Sequence, residues 1–434
     1  MSERIKETTC DLVVIGAGMA GMAAALFAAR RRIAALQVGM AAQLGFASGL
    51  LDLLGVHPAA DTRVLEDPWQ GIEQLRLDEP NHPLALLPGA TIRKALDIIL
   101  DFLKNSAYPY MAGPQKNVRI LTPAGTIKPT YAVPHTMAYG PHALANKASC
   151  LLVDFNRLRG YSARQIALSL SARWPGLRPL SIDFPELQGE LYTERMARAL
   201  DSAGCREALI SAIRPHIGNA QAVGLPAVLG IYRTVQVMAE MQQGLGVPVF
   251  EIPTMLPAIT GLRLQEIFEN RLPAMGITVF QQQRVLSARR QSDGRWALDV
   301  GREEALQRVV TRSVLLCSGR FLGQGLHAER RGIHETIFDL PVTQPADRET
   351  WHSKDLLHPP GHPINRAGVA VDDWFRPVDG KGKMLYPNLF AAGSILAHQD
   401  WMRQKCGSGL AIATAYGAVE ACQVFLNSGA STVA

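Results

Sequence analysis

Residues 11–29 read DLVVIGAGMAGMAAALFAA, and no other stretch constrains the fold as strongly. Leu12, Val13, Val14 and Ile15 form a short apolar run, the pattern of a strand buried in a parallel sheet. Gly16, Gly18 and Gly21 follow with the spacing G-x-G-x-x-G, and an Ala-rich helix opens directly after them. Strand, glycine turn and helix in that order are what a nucleotide-binding βαβ unit requires. The first glycine allows the tight turn, the second lets a phosphate approach the backbone, and the third lets the helix pack close to the strand. The helix start, with Met19 and Ala20, offers free N–H groups and a positive dipole end to an anion. The bland alternative is a tight strand–helix turn with nothing bound.

At 434 residues the chain can bury one large core or two to three smaller ones. With 47% hydrophobic and 19% charged residues it reads as globular. The net charge of +6 suits anionic substrates, acidic partners or a membrane surface. It is too diffuse for nucleic acid: no block of five or six basic residues occurs, and the Arg30-Arg31-Arg32 cluster reads as a helix end. The six cysteines, Cys10, Cys150, Cys205, Cys317, Cys406 and Cys422, form no C-x-x-C pair, so no metal or iron–sulfur signature is present. Scattered cysteines suit a reducing compartment. The start, MSERIKE, lacks an apolar signal core, so export is not expected. Residues 12–29 are apolar enough to resemble a membrane span, but three glycines divide them into strand and helix. No transmembrane segment is expected.

The first unit continues to about residue 60, with its second strand at 33–38. In dinucleotide folds that strand ends in an acid that grips the adenosine ribose. Here the position falls near Gly39, in ALQVGM, with no Asp or Glu nearby. Residues 61–249 carry proline- and glycine-rich loops and helical stretches at 93–105 and 191–203, and read as an inserted cap domain. Strand patterning returns at 276–280, in a hairpin of 284–289 and 296–300 turned at 292–294, and at 314–317, which leads into Ser318 and Gly319. Residues 331–364 read as a connecting segment.

The C-terminal region carries a strand over 385–392 that ends in Gly393 and Ser394, and then a second glycine helix start at Gly407, Ser408, Gly409 and Leu410. A single NAD site leaves this second start unexplained. Two such starts fit an α/β fold of the Rossmann-like, two-dinucleotide-binding flavoprotein type with an inserted cap. There the first start holds phosphate and the last points unpaired N–H groups at the flavin ring, where its dipole favours the reduced anion. The flavin domain would comprise 1–60, 250–330 and 365–434.

Together these segments resemble the B-subunit family of anaerobic glycerol-3-phosphate dehydrogenase, over the whole length. The generic part is Gly16–Gly21 and the run from Asn388 to Ser394. Thr122-Pro-Ala-Gly-Thr and Cys317-Ser-Gly-Arg-Phe-Leu-Gly-Gln-Gly-Leu also match. The specific part is FASGLLDLL at 46–54 and PTMLPAITGLRLQ at 253–265. The resemblance implies FMN as cofactor, which needs no ribose acid; FAD held by backbone groups alone is equally compatible. It implies as partners a catalytic A subunit carrying FAD, an iron–sulfur C subunit and the quinone pool, at the cytoplasmic face of the inner membrane. The implied reaction takes a hydride from C2 of glycerol 3-phosphate and yields dihydroxyacetone phosphate. A structural and relay protein that docks the catalytic partner to the iron–sulfur one, or another flavin oxidoreductase, are the alternatives; a pyridine-nucleotide dehydrogenase is the weakest reading.

Several residues carry two readings. Ser48 and Gly49 contact a pyrophosphate or ring edge, or form only a loop. Asp52 serves a helix start. Arg263 clamps a phosphate or carboxylate, or makes an ion pair. His135, His142, His398 and Lys405 are candidate proton handlers, with His398 foremost, or ordinary loop residues. Phe46, Trp374 and Trp401 are expected to pack rather than stack on a flavin.

Overall fold

The computed structural model describes residues 6–113 and 115–429; the polar start, on which the export reading rests, lies largely outside them. The chain divides into two compact units, one of Met1–Gln43, Asp52–Ile99 and Phe268–Ala434, the other of Leu44–Leu51 and Leu100–Ile267. This division differs from the expected boundaries. Residues 61–99 and 331–364 belong to the first unit, while 44–51 and 250–267 belong to the second.

The first unit is built on a seven-stranded sheet. Lys6–Ile15 lies between Ala35–Gly39 and Ala305–Leu316, parallel to both, and Thr278–Gln281 extends the sheet beyond Ala35–Gly39. The long strand Ala305–Leu316 changes partners along its length. Its first part pairs antiparallel with Trp296–Gly301, and its end pairs parallel with Leu389–Ala391. The hairpin of Arg284–Arg290 and Trp296–Gly301 closes as the sequence implied, with Gly294 N–H donating to the Gln291 carbonyl. The central strand is apolar from Leu12 to Ile15 because both its faces are covered there; Leu12, Val13 and Val14 are fully buried.

Two Ala- and Gly-rich helices, Met19–Arg30 and Gly407–Asn427, belong to this core. Phe27 meets Tyr416 edge-on at 5.1 Å between ring centroids. The Arg31 guanidinium lies 4.4 Å above the Tyr416 ring and pairs with Glu420 at 3.2 Å, so this part of the arginine cluster is structural. Gly407–Asn427 is long and apolar enough to cross a membrane by length and composition, yet 78% of its most apolar stretch is buried within the protein. That is the character of a core helix.

The second unit contains a sheet that the sequence reading missed. Leu177–Ile182, Cys150–Phe155, Ala222–Pro226 and Val249–Ile252 lie side by side in that order, all parallel. Helices connect them: Ser162 caps Ala163–Leu170 through its hydroxyl, and Gly246, with φ of 74°, ends Thr234–Leu245. The helix expected over 191–203 is two, Thr193–Leu200 and Ala203–Ile213. Leu152, Val153, Val223, Leu225 and Phe250 fill the core around the sheet.

The segment Leu44–Leu51 is stitched into the second unit by backbone bonds. Leu51 exchanges them with Tyr131 and Ala132, and the Gly45 carbonyl accepts from Ala258 N–H. A Cβ on Gly49 would lie 2.6 Å from the Thr260 Cβ, so this loop and the start of Ile259–Ala274 touch directly.

Near that helix start lies a fully buried ion pair. Arg263 donates from Nη1 and Nη2 to Glu251 at 2.7 and 2.9 Å and from Nε to the Gly230 carbonyl at 2.8 Å. Burial opposes both charges, but each partner outweighs it: Glu251 is held below the usual carboxylate range and Arg263 stays protonated. Removing one partner leaves the other charge buried alone, so Arg263→Met is expected to lower stability by about 3–5 kcal/mol, read as a shift of the urea midpoint. Adding Glu251→Met to that variant is expected to recover much of the loss.

Candidate cofactor site

The phosphate turn begins where Lys6–Ile15 ends. Gly16 has φ of 133°, and a Cβ there would sit 2.1 Å from the Cys317 carbonyl oxygen. Only glycine fits, because the turn runs against the end of Ala305–Leu316. Gly16 N–H donates to the Val38 carbonyl at 2.7 Å, and its carbonyl accepts from Gln37 Nε2 at 2.7 Å. A Cβ on Gly21 would lie 2.0 Å from that same carbonyl oxygen, so the third glycine lets the helix rest on the turn. Gly18 is the N-cap of Met19–Arg30, with no side-chain cap and no acid in the first turn. The N–H groups at a helix start have no intrahelical partner, and these are left to an anion.

The opposite wall comes from two later segments. Ser318 through Gly325 fold back on themselves: Cβ atoms on Gly323 and Gly325 would each lie 2.2 Å from a carbonyl oxygen, of Ser318 and Gly319 respectively. The Ser318 hydroxyl is buried and has no partner among the described residues. Gly393 has φ of 81°, and its missing Cβ would lie 2.6 Å from the Ala20 Cβ. A Cβ on Gly319 would stand 3.6 Å from Ser394 Oγ. The structure thus brings Gly16, Ala20, Gly21, Gly319, Gly393 and Ser394 to one end of the parallel strands of the seven-stranded sheet. An uncapped helix start, a turn whose glycines let backbone pack against backbone and an unpartnered buried hydroxyl fit a dinucleotide phosphate.

Gly39 explains the missing ribose acid. A Cβ there would sit 2.6 Å from Ala17 N, so the second strand and the glycine turn approach too closely for any side chain. The next position, Met40, is 42% exposed.

The remaining expected site residues have the following surroundings. At the helix start Gly407, one N–H is taken by backbone from another segment. Gly409 N–H donates to the Asp52 carbonyl at 2.6 Å, and Ser408 Oγ accepts from Asp52 N–H at 2.7 Å. A Cβ on Gly409 would lie 2.6 Å from the Leu53 Cα, so this glycine serves that close approach. Leu410 is buried, with its N–H bonded to the Cys406 carbonyl. Unpaired N–H groups were expected at Gly407, Ser408 and Gly409; that of Gly409 is committed to the Asp52 carbonyl. Asp52 does serve a helix start, through its backbone.

Arg263, with its guanidinium held by Glu251 and Gly230 and no exposed surface, is an ion-pair residue rather than an anion clamp. Ser48 and Gly49 lie in the second unit, where the Gly49 carbonyl accepts from the Tyr110 hydroxyl. His142 is exposed beside Asn146, and His135 is half-buried against Tyr108. Lys405, with φ of 52°, ends the short helix Trp401–Gln404. Phe46, Trp374 and Trp401 are 43%, 49% and 38% exposed, and the Trp401 ring lies against Gly407.

His398 is half-buried with φ of 65°, and its N–H donates to the Arg366 carbonyl. Arg366 in turn makes a two-pronged pair with Glu79 at 3.0 and 3.1 Å. Burial first, and then the Arg366 charge, lower the His398 pKa, so its imidazole is neutral at pH 7.

Three residues that matter were missed. Thr414 accepts from Gly393 N–H at 2.9 Å and donates to the Leu410 carbonyl at 2.6 Å, which fixes the Gly393 turn on the last helix. Gln37 holds the Gly16 carbonyl. His82, fully buried, accepts from Leu84 N–H and meets Gln404 Oε1 at 3.1 Å, while the Gln404 carbonyl accepts from Gly55 and Val56. A polar residue within an apolar run was the available signal for the first two.

A family model described as "FAD binding domain" matches residues 11–410. A protein of Halobacterium salinarum (strain ATCC 29341 / DSM 671 / R1), described as a probable B subunit of anaerobic glycerol-3-phosphate dehydrogenase, is 30% identical over 424 residues, which cover 94% of this chain and 96% of that protein. The corresponding B subunit of Vibrio cholerae serotype O1 (strain ATCC 39315 / El Tor Inaba N16961) is 27% identical over 424 residues, covering 94% and 95%. The family match supports FAD and gives no support to FMN, the cofactor placed first by the resemblance.

Two outcomes test this geometry. Gly39→Glu installs the acid that dinucleotide folds carry, yet here it is expected to weaken flavin binding at least ~10-fold, because the side chain collides with the phosphate turn; a flavin titration of the apoprotein reads it. His82 is pushed down to about 3, chiefly by burial, against an ordinary value near 6.5. Between those values the unfolded chain binds a proton that the folded chain refuses, so stability falls as pH drops below about 6.5. Thermal melting from pH 7.5 to 5 checks this, and His82→Gln is expected to flatten the slope.

Proposed function

Because the chain belongs to the FAD-binding-domain family and to the B-subunit family of anaerobic glycerol-3-phosphate dehydrogenase, we propose that it is the FAD-holding redox subunit of a complex that oxidises sn-glycerol 3-phosphate to dihydroxyacetone phosphate. The observation that carries this reading is the uncapped start of Met19–Arg30, set on the close-packed glycine turn of Gly16, Gly21 and Gly393. Bound FAD supplies a two-electron acceptor for the hydride. The N–H groups of Met19 and Ala20 hold its pyrophosphate in this reading. Gly319, Gly393 and Ser394 form the facing wall, with Thr414 keeping Gly393 in place. His398, neutral at pH 7, is the candidate acceptor for the substrate hydroxyl proton.

Curated relatives named as one lettered component of a dehydrogenase support membership of a multi-subunit assembly. The partners proposed are a catalytic A subunit and an iron–sulfur C subunit, with electrons passing to a quinone and the complex resting peripherally on the cytoplasmic face of the inner membrane. A second reading, a relay and docking role, is favoured by one observation: the candidate anion clamp Arg263 is consumed by Glu251.

Gly18→Val in the assembled complex separates the two. It is expected to strip FAD from this chain, by mass spectrometry of released cofactor, and to lower glycerol 3-phosphate-dependent quinone reduction at least ~10-fold. Lost FAD with unchanged turnover would favour the docking role. Full FAD occupancy would place the cofactor elsewhere.

A further inference from the structure

The strand Ala35–Gly39, sequence ALQVG, is buried at every position, and Gln37 is its one polar side chain. An amide in such a place needs a partner that returns what water supplied. Its Nε2 donates at 2.7 Å to the carbonyl of Gly16, the first glycine of the phosphate turn. Gly16 lies one residue beyond the end of Lys6–Ile15, where no ladder partner fixes its carbonyl.

Two facts make that carbonyl consequential. Gly16 is the most permissive residue in the turn, with φ of 133°, so the peptide joining it to Ala17 has freedom that a side chain would remove. That peptide is planar, so the direction of the Gly16 carbonyl sets the opposite direction of the Ala17 N–H. The close approach of Gly39 to Ala17 N and of Gly21 to the Gly16 oxygen leaves the turn one tight arrangement on both flanks. Gln37 reaches from the neighbouring strand to lock that peptide.

We infer that Gln37 is the positioning residue of the phosphate turn. Its amide presets the Gly16–Ala17 peptide, so that the start of Met19–Arg30 meets the cofactor pyrophosphate without reorganisation. It touches no cofactor atom in this account and acts through Gly16. The inference rests on the FAD reading given above.

The test is FAD titration of the apoprotein, followed by flavin fluorescence, beside thermal melting of the same apoprotein. Gln37→Met keeps the length and removes the donor. It is expected to weaken FAD binding ~10-fold, which corresponds to about 1.4 kcal/mol, and to speed FAD release, while the apoprotein melts within a few degrees of wild type. Gln37→Glu restores a donor only when its acid is protonated, so its FAD affinity is expected to improve from pH 8 to pH 6 while that of Gln37→Met does not. Wild-type affinity in Gln37→Met overturns the inference. So does a Gln37→Glu variant without that pH dependence, or a set of variants that fail to fold, which would make Gln37 a structural residue. Wild-type protein that binds no FAD would overturn the FAD reading itself, and the inference with it.

Discussion

The candidate site depends on the contact between Gly16 and the carbonyl of Cys317. Two parallel strands end side by side, and the chain leaving the first must pass over the last residue of the second. A Cβ at Gly16 would stand 2.1 Å from that oxygen, a distance no side chain tolerates. Everything on the phosphate side follows from this closeness. Gly21 must also lack a side chain for the helix to sit on the turn, and Gly39 must lack one for the second strand to stay beside it. Three glycines, one in the turn, one on the second strand and one on the helix, answer one steric demand.

The same packing accounts for the missing acid at the end of the second strand. The sequence showed its absence at Gly39 and allowed FMN on that ground. The geometry supplies a different cause: the position has no volume for any side chain. An absent recognition group therefore reports on backbone spacing here, and says nothing against an adenosine-bearing flavin.

The legible parts of the chain were those whose pattern is local. The strand–turn–helix at 11–29 and the hairpin turned near Gly294 were readable because neighbours in sequence are their main partners. The illegible parts depend on distant partners. The parallel sheet of Cys150–Phe155, Leu177–Ile182, Ala222–Pro226 and Val249–Ile252 is made of short strands separated by long crossovers, and Leu177–Ile182 is too polar to announce itself. The role of Arg263 was left open between two readings, and Glu251 decides it by lying one side-chain length away. Gly409 read as an open helix start because the Asp52 carbonyl that fills it lies in another part of the chain. Gln37 was visible as one polar residue in ALQVG, but its partner was not.

The hydroxyl bond between Thr414 and Gly393, together with the contact of Gly16 with Cys317, has a temporal consequence. The first wall of the candidate site leaves the ribosome with Gly16, whereas Cys317, Gly393 and Thr414 follow about 300–400 residues later. At ordinary synthesis rates that interval lasts roughly 15–80 seconds. Until then the strand Lys6–Ile15 has an unpaired edge where Ala305–Leu316 will lie, and the glycine turn has no opposite wall. The nascent chain carries an unpaired apolar edge until Ala305–Leu316 is made, and a strand far along the chain is what closes it.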